Sequence, residues 1–218
     1  MSRPLLAPAS DRKVGSRGKD HSQLARLDRT APASRRGPRQ GGILLDRDGT
    51  IIVDHGYVGS IDRVEFIDGS AEAIARFNKA GIPVAVLTNQ AGVARGFYTI
   101  DDVNDVHGYL TSRLAECKAH IDLFVFCPYH PDGTVEAFSR GSDDRKPGPG
   151  MAKAAAEALN LDLRASWVVG DRLEDLGLAE AVGASAIYVG RGPSPRPGAQ
   201  AFPDLAAAAS FLLEQVAA

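Results

Sequence analysis

Ile43-Leu44-Leu45-Asp46-Arg47-Asp48-Gly49-Thr50-Ile51-Ile52-Val53 is the stretch on which the fold turns. Three large apolar residues run into two aspartates one position apart, then a glycine, then a second apolar run. Two structures fit that pattern. Asp-Gly between β-prone runs is a strong hairpin signal. The same residues also describe a buried parallel strand whose carboxyl end hands over a pair of acids. In open parallel sheets ligands bind beyond such ends, near the point where strand order reverses.

The flanking sequence favours the parallel sheet. From Gly41 onward, short apolar runs alternate with segments of helical period, as expected for a sheet covered by helices. Strands are expected over 43–46, 82–88, 121–127, 167–171 and 186–190. A helix over 70–80 would bury Ile74 and Phe77 and stop at Gly81. Another would start at a Thr99 cap and bury Val103, Val106, Leu110 and Leu114. Further helices are expected over 151–159, 174–182 and 205–216. The fold class is therefore α/β, a Rossmann-like open parallel sheet of about five strands with helices on both faces.

The formal net charge of -2 over 218 residues conceals an asymmetry. Residues 1–40 hold ten Lys or Arg against three Asp, or +7, which leaves -9 on residues 41–218. The first 40 residues read as a basic N-terminal extension, solvated or touching an anionic partner, ahead of one domain over 41–218. No apolar run is long enough for a membrane span, and residues 1–10 lack the apolar core of a secretory signal. Two cysteines, Cys117 and Cys127, are too few for a disulfide framework. A cytoplasmic enzyme with no membrane partner is expected, with a monomer favoured.

The expected strand ends converge on a chemically coherent set. The first supplies Asp46 and Asp48, the second Thr88 and Asn89, and the fourth Asp171; the loop before residue 151 adds Arg145 and Lys146. Phosphate monoester hydrolysis is accelerated by up to ~10²¹-fold in enzymes, whereas a single general acid supplies only ~10²–10⁴. It therefore needs a nucleophile, a proton donor and several positive groups on the phosphoryl oxygens. An ionised Asp46 could attack phosphorus and Asp48 could protonate the leaving oxygen. Paired carboxylates also suit a hard divalent ion such as Mg²⁺. Each member has an ordinary reading too: Thr88 and Asn89 as caps, Lys146 as surface charge, Asp171 with Glu174 as a capping box. Their joint arrival on one rim is what favours chemistry.

Asp46-Arg47-Asp48-Gly49-Thr50, Thr88-Asn89, Lys146-Pro147 and Gly170-Asp171 through Asp175 together resemble the four ordered motifs of haloacid-dehalogenase phosphatases. The resemblance implies a phosphatase working through an aspartyl-phosphate, with Asp46 as nucleophile, Asp48 as acid and base, and Thr88 and Lys146 stabilising the phosphoryl group. It implies Mg²⁺ held by Asp46, the carbonyl of Asp48 and Asp171, with Asp175 orienting the site. Asp54-His55-Gly56-Tyr57, the run from Thr88 to Gly96, and Arg145-Lys146-Pro147 are similar to the heptose 1,7-bisphosphate and histidinol-phosphate phosphatases. That similarity implies substrate contacts from Asp54, His55, Gly56, Tyr57, Asn89, Gln90, Arg95, Arg145 and Arg172, and a small phosphorylated metabolite as partner. The short span from Thr50 to Thr88 leaves no room for a large inserted cap domain, so a capless enzyme is expected.

One departure stands out. Heptose-branch relatives often staple the loop before the lysine with zinc through Cys-Pro-His-His and Cys-Asp-Cys-Arg-Lys. Here Tyr129, Ser142 and Asp144 stand at three of the four ligand positions and only Cys127 remains. Neutral serine and tyrosine are poor zinc ligands. The loop is expected to hold no zinc and to be packed by Tyr129 and Phe138 or else to move more. The run after Thr88 is also similar to polynucleotide 3′-phosphatases, although nucleic acid is the less favoured substrate. A receiver-like phospho-aspartyl switch would use nearly the same residues without turnover.

Overall fold

The computed structural model describes residues 38–217. The sheet has strands β1 (Ile43–Leu45), β2 (Val84–Asn89), β3 (Leu123–Cys127), β4 (Trp167–Gly170), β5 (Ser185–Val189) and β6 (Gln200–Phe202). All pairings are parallel and the order is β3-β2-β1-β4-β5-β6. Strand order therefore reverses between β1 and β4. The helices are α1 (Ser70–Lys79), α2 (Ile100–Glu116), α3 (Gly150–Leu159), α4 (Leu173–Val182) and α5 (Leu205–Ala217).

Period-two alternation divides the core into two layers. Ile43, Leu45, Val84, Val86, Phe124 and Val169 face one way and pack with Ile74, Phe77, Val106, Leu110 and Leu212, from α1, α2 and α5. Leu44, Ala85, Leu87, Val125 and Val168 face the other way, against Met151, Ala152, Ala155, Leu178 and Ala179 from α3 and α4. Thr99 caps α2 as expected: its hydroxyl accepts from the Asp102 amide at 3.1 Å, while the Asp102 carboxylate accepts from the Thr99 amide at 2.7 Å.

The sixth strand corrects the expected count of about five. Gln-Ala-Phe is short, mostly exposed and lies on an edge, so it carries neither the apolar run nor the alternation by which a strand is recognised. The Asp-Gly turn is not a hairpin. Residues 47–52 close on themselves, with the Ile51 and Ile52 amides donating to the Arg47 carbonyl at 2.9 and 3.1 Å, and Ile52 bridges Phe66. The capping box of α4 joins Arg172 and Asp175, one residue later than the ordinary reading of Asp171 with Glu174. The Asp175 carboxylate accepts from the Arg172 amide at 3.0 Å, so Asp171 is not the cap. Between β1 and β2 the chain forms only a rim loop, a single 3-10 turn at Ile61–Arg63 and α1, which is the capless arrangement.

The basic extension expected over 1–40 lies outside the described residues apart from 38–40, where Gln40 bridges Leu161. Among the described residues no helix is long and apolar enough to cross a membrane.

Candidate active site

A cleft of about 270 Å³ opens at the carboxyl ends of β1 and β2, beside the strand-order reversal. Asp46, Asp48, Asp54, Gly56, Tyr57, Thr88, Asn89, Gln90, Arg95, Arg145, Lys146, Arg172 and Asp175 line it. Residues from six separate stretches of sequence thus meet on one rim.

At the bottom sits a buried ionic triad. Lys146 Nζ lies 2.8 Å from Asp46 Oδ1 and 2.6 Å from Asp175 Oδ1, and donates to the Leu87 carbonyl at 2.7 Å. The ammonium's three protons are thereby assigned to three acceptors. Burial would lower the Lys146 ammonium, but Asp175 and Asp46 outweigh it and hold it above its ordinary value. Asn89 delivers this lysine: its amide oxygen accepts from the Lys146 amide at 3.0 Å and its amide nitrogen donates to the Lys146 carbonyl at 3.2 Å. Both ends of the Asn89 side chain are therefore engaged with backbone, although it was expected to touch substrate.

Asp46, Asp171 and Asp175 each offer an oxygen within 4.8 Å of the other two. Asp175 has donors on both oxygens, from Lys146 and from the Arg172 amide. Asp171 differs, because its buried Oδ1 has no hydrogen-bond partner. Desolvation by burial pushes the Asp171 carboxyl up to about 6, with Asp175 adding to it. Burial likewise pushes Asp46 up to about 7 despite the pull of Lys146. A buried carboxylate oxygen without a donor is costly unless a cation meets it. Gly49, at φ +85°, brings the β1 loop against Asp171 so closely that a β-carbon there would collide with the carboxylate. This all-oxygen donor set, one member of which carries an unpartnered buried oxygen, fits a small hard divalent cation.

Thr88 is buried, and its Oγ accepts from Gln90 Nε2 at 2.8 Å, which leaves the hydroxyl proton available to an anion. Asp48 lies opposite and accepts from Arg47 Nε and Nη2, at 3.1 Å each, and from Gln90 Nε2 at 2.9 Å. Arg145 and Arg95 also line the cleft, and Arg145 Nη1 and Arg95 Nε are buried nitrogens without a hydrogen-bond partner. Asp54 and Arg172 pair with each other at 2.5 Å and tie the rim loop to the start of α4. His55 is not among the residues lining the cleft, and its ring pairs with Glu65 at 2.9 Å. The cleft also includes Tyr98 and His130, which in the sequence stand out only as members of the rim loops over 91–98 and 128–146. Lying near other rim residues was their only signal.

The loop that departs from the zinc pattern is packed by its own side chains. Tyr129 is buried, its ring 6.0 Å from that of Phe138, and the Arg140 guanidinium lies 4.3 Å over its face. Cys127 is buried with its thiol directed at the Tyr129 carbonyl, and burial pushes it up to about 11. Residues 91–98 dock on this loop, with the Thr134 and Val135 amides donating to the Ala94 carbonyl at 2.7 and 2.9 Å.

Residues 144–217 match a family model described as HAD-hydrolase-like. The D-glycero-β-D-manno-heptose-1,7-bisphosphate 7-phosphatase of Escherichia coli K12 is 42% identical over 175 residues, which is 80% of this chain and 89% of that protein. The D,D-heptose 1,7-bisphosphate phosphatase from B. bronchiseptica, solved with magnesium and phosphate, superposes with a TM-score of 0.71 at 34% identity, covering 81% of this chain and 99% of that one. A D,D-heptose 1,7-bisphosphate phosphatase from Burkholderia thailandensis gives 0.58 at 32% identity over 80% and 99% of the two chains.

Proposed function

The chain belongs to the haloacid-dehalogenase-like phosphatases, in the heptose-bisphosphate branch, and from that premise we propose that it removes the 7-phosphate of D-glycero-β-D-manno-heptose 1,7-bisphosphate or a close sugar bisphosphate. The observation that carries this reading is the pairing of two anion-seeking ends in one cleft. One is Asp46, Thr88 and Lys146, and the other is the guanidinium pair Arg95 and Arg145, all of which line it. A substrate with two phosphates would satisfy both ends, and a planar guanidinium suits the phosphate that is kept.

In the proposed reaction an Asp46 carboxylate oxygen attacks phosphorus. The bond from phosphorus to the sugar oxygen breaks, and that oxygen takes a proton from Asp48. Water then attacks the aspartyl-phosphate and gives a proton back to Asp48, which releases phosphate and restores Asp46. Thr88 donates to a phosphoryl oxygen, and Lys146 offsets the negative charge accumulating beside Asp46. Asp46, the Asp48 carbonyl and Asp171 would hold Mg²⁺, with Asp175 fixing Lys146 and the first turn of α4. When bound, that ion supplies positive charge to the phosphoryl oxygens.

Phosphate release from heptose 1,7-bisphosphate, histidinol phosphate and a 3′-phosphorylated oligonucleotide, each with Mg²⁺, tests the assignment. Preference for the sugar bisphosphate is expected. Preference for the oligonucleotide, with salt-sensitive binding lost on removing residues 1–40, would replace it with an end-processing enzyme. One phosphate taken up per chain without turnover would instead indicate a phospho-aspartyl switch. A cytoplasmic location, a monomeric state and a zinc-free loop complete the proposal.

The raised acids make a separate prediction about pH. Asp46 and Asp171 titrate near 7 and 6 in the folded chain against an ordinary 3.8, so the folded state holds their protons longer than the unfolded chain does. Without metal, stability conferred by those protons is complete below about pH 4 and is lost as pH rises toward 7. Mg²⁺ binds the ionised pair and should restore it. The difference in Tm between Mg²⁺ and EDTA should be near zero at pH 5 and grow to pH 8. A difference independent of pH would show that these carboxylates do not hold the ion.

A further inference from the structure

Arg47 takes no part in the reaction as written, yet it heads the largest side chains with no solvent exposure among the described residues. A guanidinium is expensive to bury, and an apolar residue would fill the same space without that cost. Its contacts show what is obtained in return. Nε and Nη2 reach Asp48 Oδ2 and Oδ1 at 3.1 Å each, so the planar fork meets both carboxylate oxygens. Nη2 also donates to the carbonyl of Val58 at 2.8 Å, in the rim loop that carries Asp54 to Tyr57.

Behind the fork, Arg47 Nη1 lies 3.5 Å from His107 Nε2. A guanidinium can only donate, so His107 Nε2 is the acceptor and its ring proton resides on Nδ1. The imidazole is held by stacking on Phe124, at 4.5 Å and 19° between ring planes, and by the edge of Phe126. On the opposite side Gln90 Nε2 donates to Asp48 Oδ2, and the Tyr98 hydroxyl fixes Gln90 by donating to its Oε1 at 2.7 Å. The Tyr98 ring fills the space that a β-carbon at Gly59 or Gly92 would need, which locks both rim loops around the clamp. Three donors thus orient Asp48, while Oδ1, with one donor, keeps a free site for the proton that is passed to the leaving oxygen and taken back from water.

We propose that Arg47, seated on His107, is a positioning residue that holds the Asp48 carboxyl in line for proton transfer and couples that orientation to the substrate loop through Val58. This rests on the reading of Asp48 as acid and base given above.

The informative measurement is leaving-group dependence. Proton donation matters greatly for a departing sugar alkoxide and little for p-nitrophenolate, which leaves readily unprotonated. A misplaced donor therefore slows the sugar phosphate selectively, whereas general damage slows both. R47K retains the charge and loses the fork. Because kcat/KM covers only the steps through departure of the leaving group, before Asp48 acts as base toward water, the ratio of kcat/KM on the sugar bisphosphate to kcat/KM on p-nitrophenyl phosphate should fall ~10–100-fold in R47K. H107F keeps the aromatic stack but removes the acceptor, and the ratio should fall in the same direction by roughly two- to tenfold. Asp48→Asn, measured alongside, sets the scale of complete donor loss.

A selective loss in Asp48→Asn with unchanged ratios in R47K and H107F would overturn the positioning role and leave the acid role standing. Equal loss of kcat/KM on both substrates in Asp48→Asn would overturn the acid role, and the positioning role with it. Selective loss in R47K alone would keep Arg47 and remove His107 from the proposal. Should R47K fail to fold, H107F decides.

Discussion

Asp46→Asn should lower kcat by on the order of 10⁴–10⁶-fold, the scale seen when a nucleophile or its essential partner is removed from a covalent mechanism. The amide is nearly isosteric, so the cleft should keep its shape, but it cannot form the acyl-phosphate. Asp46 sits at the end of β1 with Lys146 on one oxygen and the orphaned Asp171 acceptor close by. No other carboxylate occupies that place. Acid quenching during turnover of radiolabelled substrate should trap label on the wild-type chain and none on the variant. Label in Asp46→Asn, or turnover within tenfold of wild type, would assign the nucleophile elsewhere.

Lys146→Met should be the most damaging change that leaves the nucleophile in place, because it acts on both stability and rate. Removing the ammonium exposes two buried carboxylates to each other with no compensating charge, and breaking a buried ion pair from one side costs about 3–5 kcal/mol. The same deletion removes a cation facing the developing phosphoryl charge, a loss of roughly 10²–10³ in kcat. Asp175 takes the shortest of the lysine contacts, at 2.6 Å. Lys146→Met combined with Asp175→Asn should therefore recover stability, since one of the two orphaned charges is gone, yet recover little activity. Urea unfolding and steady-state rates on the four proteins of that cycle separate the two effects. Strictly additive losses in stability would mean that Lys146 and Asp175 do not act as a unit.

Much of the fold was legible because its signals are local. Ile43-Leu44-Leu45, Val84-Ala85-Val86-Leu87 and Leu123 to Cys127 declare buried strands by composition, and Thr99 with Asp102 declares a helix start within four residues. The edge strand β6 was missed because three half-exposed residues owe their conformation to β5, not to their own pattern. The sequence left Asp171 open between cap and metal carboxylate, and the cap falls one position later, at Arg172. Asp171-Glu174 and Arg172-Asp175 are both permissible spacings, and only the packing of α4 on β4 chooses between them.

The amino-acid order alone determined that acids, a hydroxyl and an ammonium follow apolar strands, and a parallel sheet forces such strand ends onto one rim. Which of those groups are free to react was decided by tertiary structure. Lys146 meets Asp175 across 29 residues, Arg47 meets His107 across 60, and Arg172 meets Asp54 across 118. Asn89 is consumed in holding a backbone, His55 pairs with Glu65, and Arg47 goes under the rim to grip Asp48. Strand and turn preferences are written within a few residues because backbone sterics act over a few bonds. The assignment of each donor to its acceptor depends on desolvation and distance, which exist only once the layers have packed.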